Sequence, residues 1–249
     1  MNEPIYFVAD VHLSPQARAR TEAFLRFLES LPSPSTLFIV GDLFDFWVGP
    51  KHALLPDHRR TLRRIRALTK RRVTVKFLYG NRDFYFDARI ARRYGMEVLG
   101  DEALFEVGGL KMLALHGDSF CTRDHSYHMA RRLFRSRPLA ALFKALPVSW
   151  SYALASLYRS ISRWLGVRRD RSNLSFTPEA VQKAFQRGVD VIICGHSHQQ
   201  SCEQFSTGRT LYILGDWSTR GSYLEFRNRE FHYQTVQTDG HNSNTESGD

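Results

Sequence analysis

An α/β fold with its strands covered on both faces is what the sequence predicts, and three observations predict it. Short runs rich in β-branched and aromatic residues recur along the chain, several of them end in a polar tip, and helical patterns separate the early ones. The runs are continuously apolar rather than alternating, so neither face of such a strand meets water.

The elements follow in order. IYFVAD (5–10) is the first strand, and over 16–31 Phe24, Leu25, Leu28 and Leu31 fall at helical spacing. TLFIVGD (36–42) and VTVKFLYGN (73–81) are the next two strands, and LKMLALHGD (110–118), VDVIICGHSH (189–198) and TLYILGDW (210–217) complete the set. The stretches 96–109 and 222–237 read as hairpins, the second turning near RNRE. The last dozen residues, TDGHNSNTESGD, have no apolar pattern and read as a frayed tail.

Composition narrows the class of function. A chain of 249 residues with 43% hydrophobic and 13% aromatic content suits one large domain, or one domain with an insertion. The net charge of +10 calls for an anionic partner: nucleic acid, phospholipid or a phosphorylated substrate. Three cysteines without a CxxC pair fit a reducing compartment better than a disulfide framework. MNEPIYFVAD lacks the basic start and apolar core of an export signal. The longest uncharged stretch, 145–158, falls short of the ~20 residues a membrane span needs. A soluble or membrane-surface protein is expected.

One segment breaks the alternation. From Met129 to Arg171 the pattern is two helices joined near Pro147. Leu139, Leu142, Phe143 and Leu146 form one stripe, and Trp150, Leu154, Leu157, Ile161 and Trp164 form the other. This segment holds ten Lys/Arg against one Asp, so nearly all the excess charge of the chain sits in it. It reads either as a solvated bundle face or as a basic amphipathic lid that meets anionic lipid or substrate.

The polar strand tips carry the chemistry. They present Asp10, His12, Asp42, Asn81, His116, His196 and His198. Taken singly, an Asp after a strand is a helix cap or turn former. Seven oxygen or nitrogen donors after apolar runs, with no cysteine among them, read instead as a pair of close-set divalent metal ions, with Mn²⁺ suiting the ligand types. Two ions about 3.5–4 Å apart can activate water and clamp the attacking and leaving oxygens of a phosphoryl transfer.

The ordered blocks D-x-H, G-D, G-N, H-G-D and G-H-x-H resemble the calcineurin-like metallophosphoesterase superfamily. The resemblance implies a two-sheet αββα sandwich over 1–237, an inserted basic helical lid at about 125–172, and a disordered tail at 238–249. It implies that Asp10, His12 and His198 hold one metal, that Asn81, His116 and His196 hold the other, and that Asp42 bridges them. Asn81 and His116 would join Arg82 in the catalytic set, and Asn81 and His196 would also touch substrate.

Arg82, in GNRDF, departs from the superfamily pattern, where most members have a histidine assigned to protonating the leaving group. A guanidinium cannot act as an acid near neutral pH. It can bind phosphate oxygens in a fork and neutralise developing charge. That suits a leaving group needing no proton, such as a phosphate monoester with a second pKa of about 6, and so points to a pyrophosphate bond. The opposing reading makes Arg82 a surface tether for Asp83. FLRFL (24–28), GDLFDFWVG (41–49), GNRDF (80–84), HGDSFCTRDHSY (116–127) and LGDWSTRGS (214–222) resemble a narrower branch, the UDP-2,3-diacylglucosamine pyrophosphatases of lipid A biosynthesis.

This narrower resemblance implies cleavage to UMP and 2,3-diacylglucosamine 1-phosphate, with Asp124 and Tyr127 on the glucosamine. The insertion of that branch ends in a Ser/Asn/Lys-rich stretch, whereas this chain has GVRRDRSNLS (166–175), where Arg168, Arg169 or Arg171 would serve on phosphate. The implied partners are a lipid-linked sugar nucleotide and an anionic membrane surface met through the insertion, with no nucleic acid. The implied location is cytoplasmic, peripheral on the inner face of the bacterial inner membrane. A metal-dependent phosphodiesterase or nuclease of the same fold, and a metal-free binding scaffold, are the alternatives.

Overall fold

Side-chain alternation along each strand decides which layer it faces. The structure, a computed structural model, describes residues 3–122, 136, 176–206 and 208–237. In β1 (Ile5–Val8), Ile5 and Phe7 point one way and Tyr6 and Val8 the other, and all four are buried. The same two-way burial recurs in β2 (Ser35–Val40), where Phe38 and Val40 oppose Leu37 and Ile39. In β6 (Leu110–Leu115), Met112 and Ala114 oppose Leu113 and Leu115. Residues with two buried faces cannot belong to a sheet exposed on one side.

Two sheets result. The first has the order β11-β10-β1-β2-β3-β4, with β3 at Val73–Leu78, β4 at Met96–Gly100, β10 at Arg220–Arg227 and β11 at Glu230–Gln237. The second has the order β5-β6-β7-β9-β8, with β5 at Glu102–Val107, β7 at Val191–Cys194, β8 at Ser201–Gln204 and β9 at Thr210–Ile213. Phe7, Phe38, Leu78, Met112, Ala114 and Ile193 form the layer between them. On the far face of the first sheet lie α1 (Arg18–Ser30) and α2 (Pro56–Lys70), burying Phe24, Phe27, Leu28, Leu62, Ile65 and Leu68. A short α3 (Ala88–Arg93) follows them on that side, burying Ala91. On the far face of the second sheet, α4 (Pro178–Phe185) packs Val181 and Phe185 against Ile192 and Leu211. This is the expected αββα sandwich. Apart from Ser136, the predicted lid lies outside the described residues.

The chain also corrects one reading. The stretch 96–109 is not a hairpin, because β4 pairs in parallel with β3 while β5 pairs antiparallel with β6 in the other sheet. The stretch 222–237 is a hairpin, β10 on β11, turning through Asn228 and Arg229 in left-handed backbone.

Phe7 is fully buried between the sheets, stacked 5.1 Å from Phe38 and 6.3 Å from Phe105. Phe7→Ala should therefore lower stability by about 3–5 kcal/mol in urea unfolding; a loss below about 1 kcal/mol would mean that the layer collapses to fill the gap.

A second stability prediction concerns acid. His58 stacks on Trp47 with centroids 5.7 Å apart and lies 4.6 Å from Phe44, and His52 sits 6.1 Å from His58. Burial pushes both imidazoles down to about 4. The unfolded chain binds protons at these two positions once the pH falls below about 6.5, and the folded chain does not until about 4, so stability is lost across that window as pH falls. The loss is on the order of 3 kcal/mol per histidine at the acid end. His58→Phe should flatten the pH slope of urea midpoints between 6.5 and 4.5, and an unchanged slope would exclude His58 as its source.

Candidate metal centre and active site

The parallel strands of both sheets end at the same place. Asp10 and His12 follow β1, Asp42 follows β2, and Asn81 follows β3 from the first sheet. His116 follows β6, and His196 and His198 follow β7 from the second. Amide-to-carbonyl bonds tie these loops together, including Asp10 to Gly41 (3.3 Å), His12 to Asp42 (2.9 Å) and Gly195 to His116 (2.9 Å).

The backbone turns sharply to aim the donors. Asp10, His12, Asp42, His196 and His198 all have positive φ, between 50° and 71°. Non-glycine residues rarely adopt this conformation, and it concentrates where a site over-determines the chain. Two glycines make room. A Cβ at Gly80 would lie 2.1 Å from an Asp42 carboxylate oxygen, and one at Gly195 would lie 2.5 Å from Asp10 Oδ2.

The seven predicted donors do converge. Asp10 Oδ1 lies 3.6 Å from His12 Nε2 and 3.7 Å from His198 Nε2, whose rings stack at 5.0 Å. Asp42 Oδ2 lies 3.8 Å from His12 Nδ1 and 3.7 Å from His116 Nε2, placing it between two groups of donors. His116 Nε2 is 2.8 Å from Asn81 Oδ1 and 3.3 Å from His196 Nδ1. Asp10, His12 and His198 form one set with ligand atoms within 4.8 Å of each other, and Asp10, Asp42 and His116 form a second.

Asp10 Oδ1 and His12 Nδ1 are buried with no hydrogen-bond partner. Such orphaned groups cost free energy in a dry interior, and a cation among them would satisfy both. The donor set therefore fits divalent metal ions. Burial pushes the Asp10 carboxyl up to about 6, with the charge of Asp42 adding to it. Burial pushes His196 down to about 3. For His116, burial works downward but the charges of Asp42, Asp10 and Asp118 outweigh it and hold the ring near 9.

Arg82 sits at the rim, about one-third exposed. Its Nη1 donates to Asp45 Oδ1 at 2.7 Å, and its Nε lies 3.4 Å from Asp42 Oδ2. It does not tether Asp83. Asp83 is fully buried and accepts from the amides of Gly80 (3.0 Å), Asp42 (3.2 Å) and Leu43 (2.8 Å), so it pins the second and third ligand loops together. Burial and the neighbouring Asp42 push its carboxyl up to about 7.

Three supporting residues were missed from the sequence. Asp45 holds Arg82; Asp216 holds His198 Nδ1 at 3.2 Å; Arg20 donates to the carbonyls of Val11 and His12. Asp216 was legible, since LGDW ends a strand as the ligand blocks do. Asp124, Tyr127, Arg168 and Arg169 lie outside the described residues.

The family profile of calcineurin-like phosphoesterases matches residues 3–200, a span that contains all seven donors. The chain belongs to that family. Calcineurin-like phosphoesterases use divalent metals, in keeping with the donor groups here. Among curated proteins, this calcineurin-like phosphoesterase is 34% identical over 223 residues to UDP-2,3-diacylglucosamine hydrolase of Aeromonas salmonicida, covering 88% of this chain and 87% of that protein. It is 35% identical over 224 residues to the protein of that name from Serratia proteamaculans, covering 88% and 93%. The Neisseria meningitidis serogroup B protein, also so named, is 35% identical over 221 residues, covering 86% and 90%.

Proposed function

We propose that the chain hydrolyses the pyrophosphate bond of UDP-2,3-diacylglucosamine, giving UMP and 2,3-diacylglucosamine 1-phosphate for lipid A biosynthesis. The observation that carries this is a guanidinium, not an imidazole, at the rim of the converging carboxylate and imidazole donors. The names and coverage of the relatives support the substrate.

In this reading Asp10, His12 and His198 hold one ion, Asn81, His116 and His196 the other, and Asp42 both. Mn²⁺ suits the carboxylate and imidazole donors. When bound, such a pair neutralises phosphoryl charge and activates water. Asp45 accepts from Nη1 of Arg82 and Asp42 faces its Nε, so the guanidinium is held from two sides and Nη2 is left for phosphate oxygens. The leaving phosphate monoester departs as an anion, so no side chain need protonate it. Asn81 and His196 border the same space and would contact substrate.

The domain is taken to span 1–237, with the insertion at about 125–172 covering the site through Asp124, Tyr127, Arg168 and Arg169 and meeting the membrane, and with 238–249 as a tail. No described helix is long and apolar enough to cross a membrane. A cytoplasmic, peripheral location follows from the substrate in this reading.

Incubation with UDP-2,3-diacylglucosamine and Mn²⁺ should yield both products by mass spectrometry, with a chromogenic phosphodiester cleaved far more slowly. Faster cleavage of the phosphodiester, with the nucleotide lipid left intact, would make the chain a phosphodiesterase instead.

A further inference from the structure

A groove among the helices flanking the first sheet carries charge that the chemistry does not use. It runs between a 3-10 turn (Pro50–Leu54) with α2 and the short α3, and it encloses about 680 Å³. Lys51, Arg59, Arg63, Arg66 and Arg93 wall it. Its lining also includes Ala53, Ile90 and Tyr94, and Leu54 stands there 70% exposed.

The two flanks of α2 differ in how their charge is met. Arg60 and Arg64 pair with Glu22 and Glu29 of α1. Arg59, Arg63 and Arg66, at i, i+4 and i+7, face the groove. None of these three, nor Lys51 or Arg93, forms an ion pair among the described residues. Five like charges around one concavity repel one another unless an anion joins them.

Two features select the occupant. A free phosphate would use the arginines and leave Leu54 in water, whereas a bilayer covers both, taking phosphates at the guanidiniums and the leucine among the upper acyl groups. Topology supplies the second. Because α2 links the parallel strands β2 and β3, its N-terminus lies at the strand-end rim that carries Asp42 and Arg82.

We infer that this groove is a docking surface for anionic phospholipid, seating the catalytic rim against the bilayer. The inference rests on the proposed function only in that a lipid-borne substrate gives the surface a use. Its test needs no substrate.

Binding of the full chain to phosphatidylethanolamine vesicles, with and without phosphatidylglycerol, is measured by flotation. Each basic residue beside an anionic leaflet strengthens binding roughly fivefold, so Arg59→Gln/Arg63→Gln/Arg66→Gln should weaken binding to phosphatidylglycerol vesicles about 100-fold. Leu54→Ser should weaken it further. The charge-matched control Arg60→Gln/Arg64→Gln/Lys70→Gln should lose only a few-fold, and thermal melts confirm that each variant is folded. Wild-type binding by the groove variant overturns the proposal, as does an equal loss by the control. Displacement by inorganic phosphate beyond that caused by chloride of matched ionic strength would also overturn it, leaving a soluble-anion site. Pyrophosphate cleavage of detergent-dispersed substrate is scored separately, so loss of docking and loss of the catalytic reading are distinguishable.

Discussion

Asp42→Ala is expected to abolish hydrolysis, a larger loss than the roughly 10²–10³ that follows removal of one electrostatic donor. The carboxylate stands between His12 and His116 and also receives the amide of Arg82 at 2.9 Å, so alanine disturbs both donor groups and the guanidinium together. Folding should suffer little. Asp42 contributes to pushing up the carboxyls of Asp10 and Asp83, and its removal relieves that repulsion. The separating measurement is the melting temperature with and without Mn²⁺. Wild type should gain stability on adding the ion, and the variant should gain much less while melting normally without it. Two ions bound with near-normal turnover would end the bridging assignment.

Arg82→Ala should cut pyrophosphate cleavage by roughly 10²–10³, the loss of one charge-stabilising donor. Arg82→Lys should recover part of it, because an ammonium can pair with Asp45 or with phosphate but cannot present a planar fork to both. Arg82→His discriminates best. An imidazole there could protonate a leaving group, so it should raise the rate on alkyl phosphodiesters relative to pyrophosphates. The quantity compared is the ratio of the two rates before and after substitution. If the ratio stays fixed and Arg82→Ala retains near-wild-type turnover, the arginine is a structural partner of Asp45 and the leaving-group argument fails.

The donors were legible in the sequence because strands buried on both faces stand out as apolar runs, and a polar residue ending one has nowhere to go but the rim. That is why all seven could be named before any geometry. What local sequence cannot carry is partnership. Only Asp101 separates β4 from β5, yet one continues the first sheet and the other opens the second. Leu99 and Phe105 both pack into the layer between the sheets, so their apolar character does not tell the two strands apart. The role of Asp83 was hidden for a related reason. Beside Arg82 it looks like an ion-pair partner, but its side chain turns inward to the amides of the neighbouring loop. Its burial is a tertiary fact.

The first sheet is completed by a strand that lies far along the chain from β1. β1 lies between β2 and β10, with Ile5 opposite Phe226 and Phe7 opposite Leu224. A fragment ending just past His198 would therefore possess every metal donor and still leave one side of β1 as an unpaired, apolar strand edge, a template for self-association. Catalytic completeness and foldability end at different points along this chain. The contacts that close the gap are among the longest in sequence separation that the fold contains, so a nascent chain must keep β1 from pairing wrongly until residues 220–227 emerge.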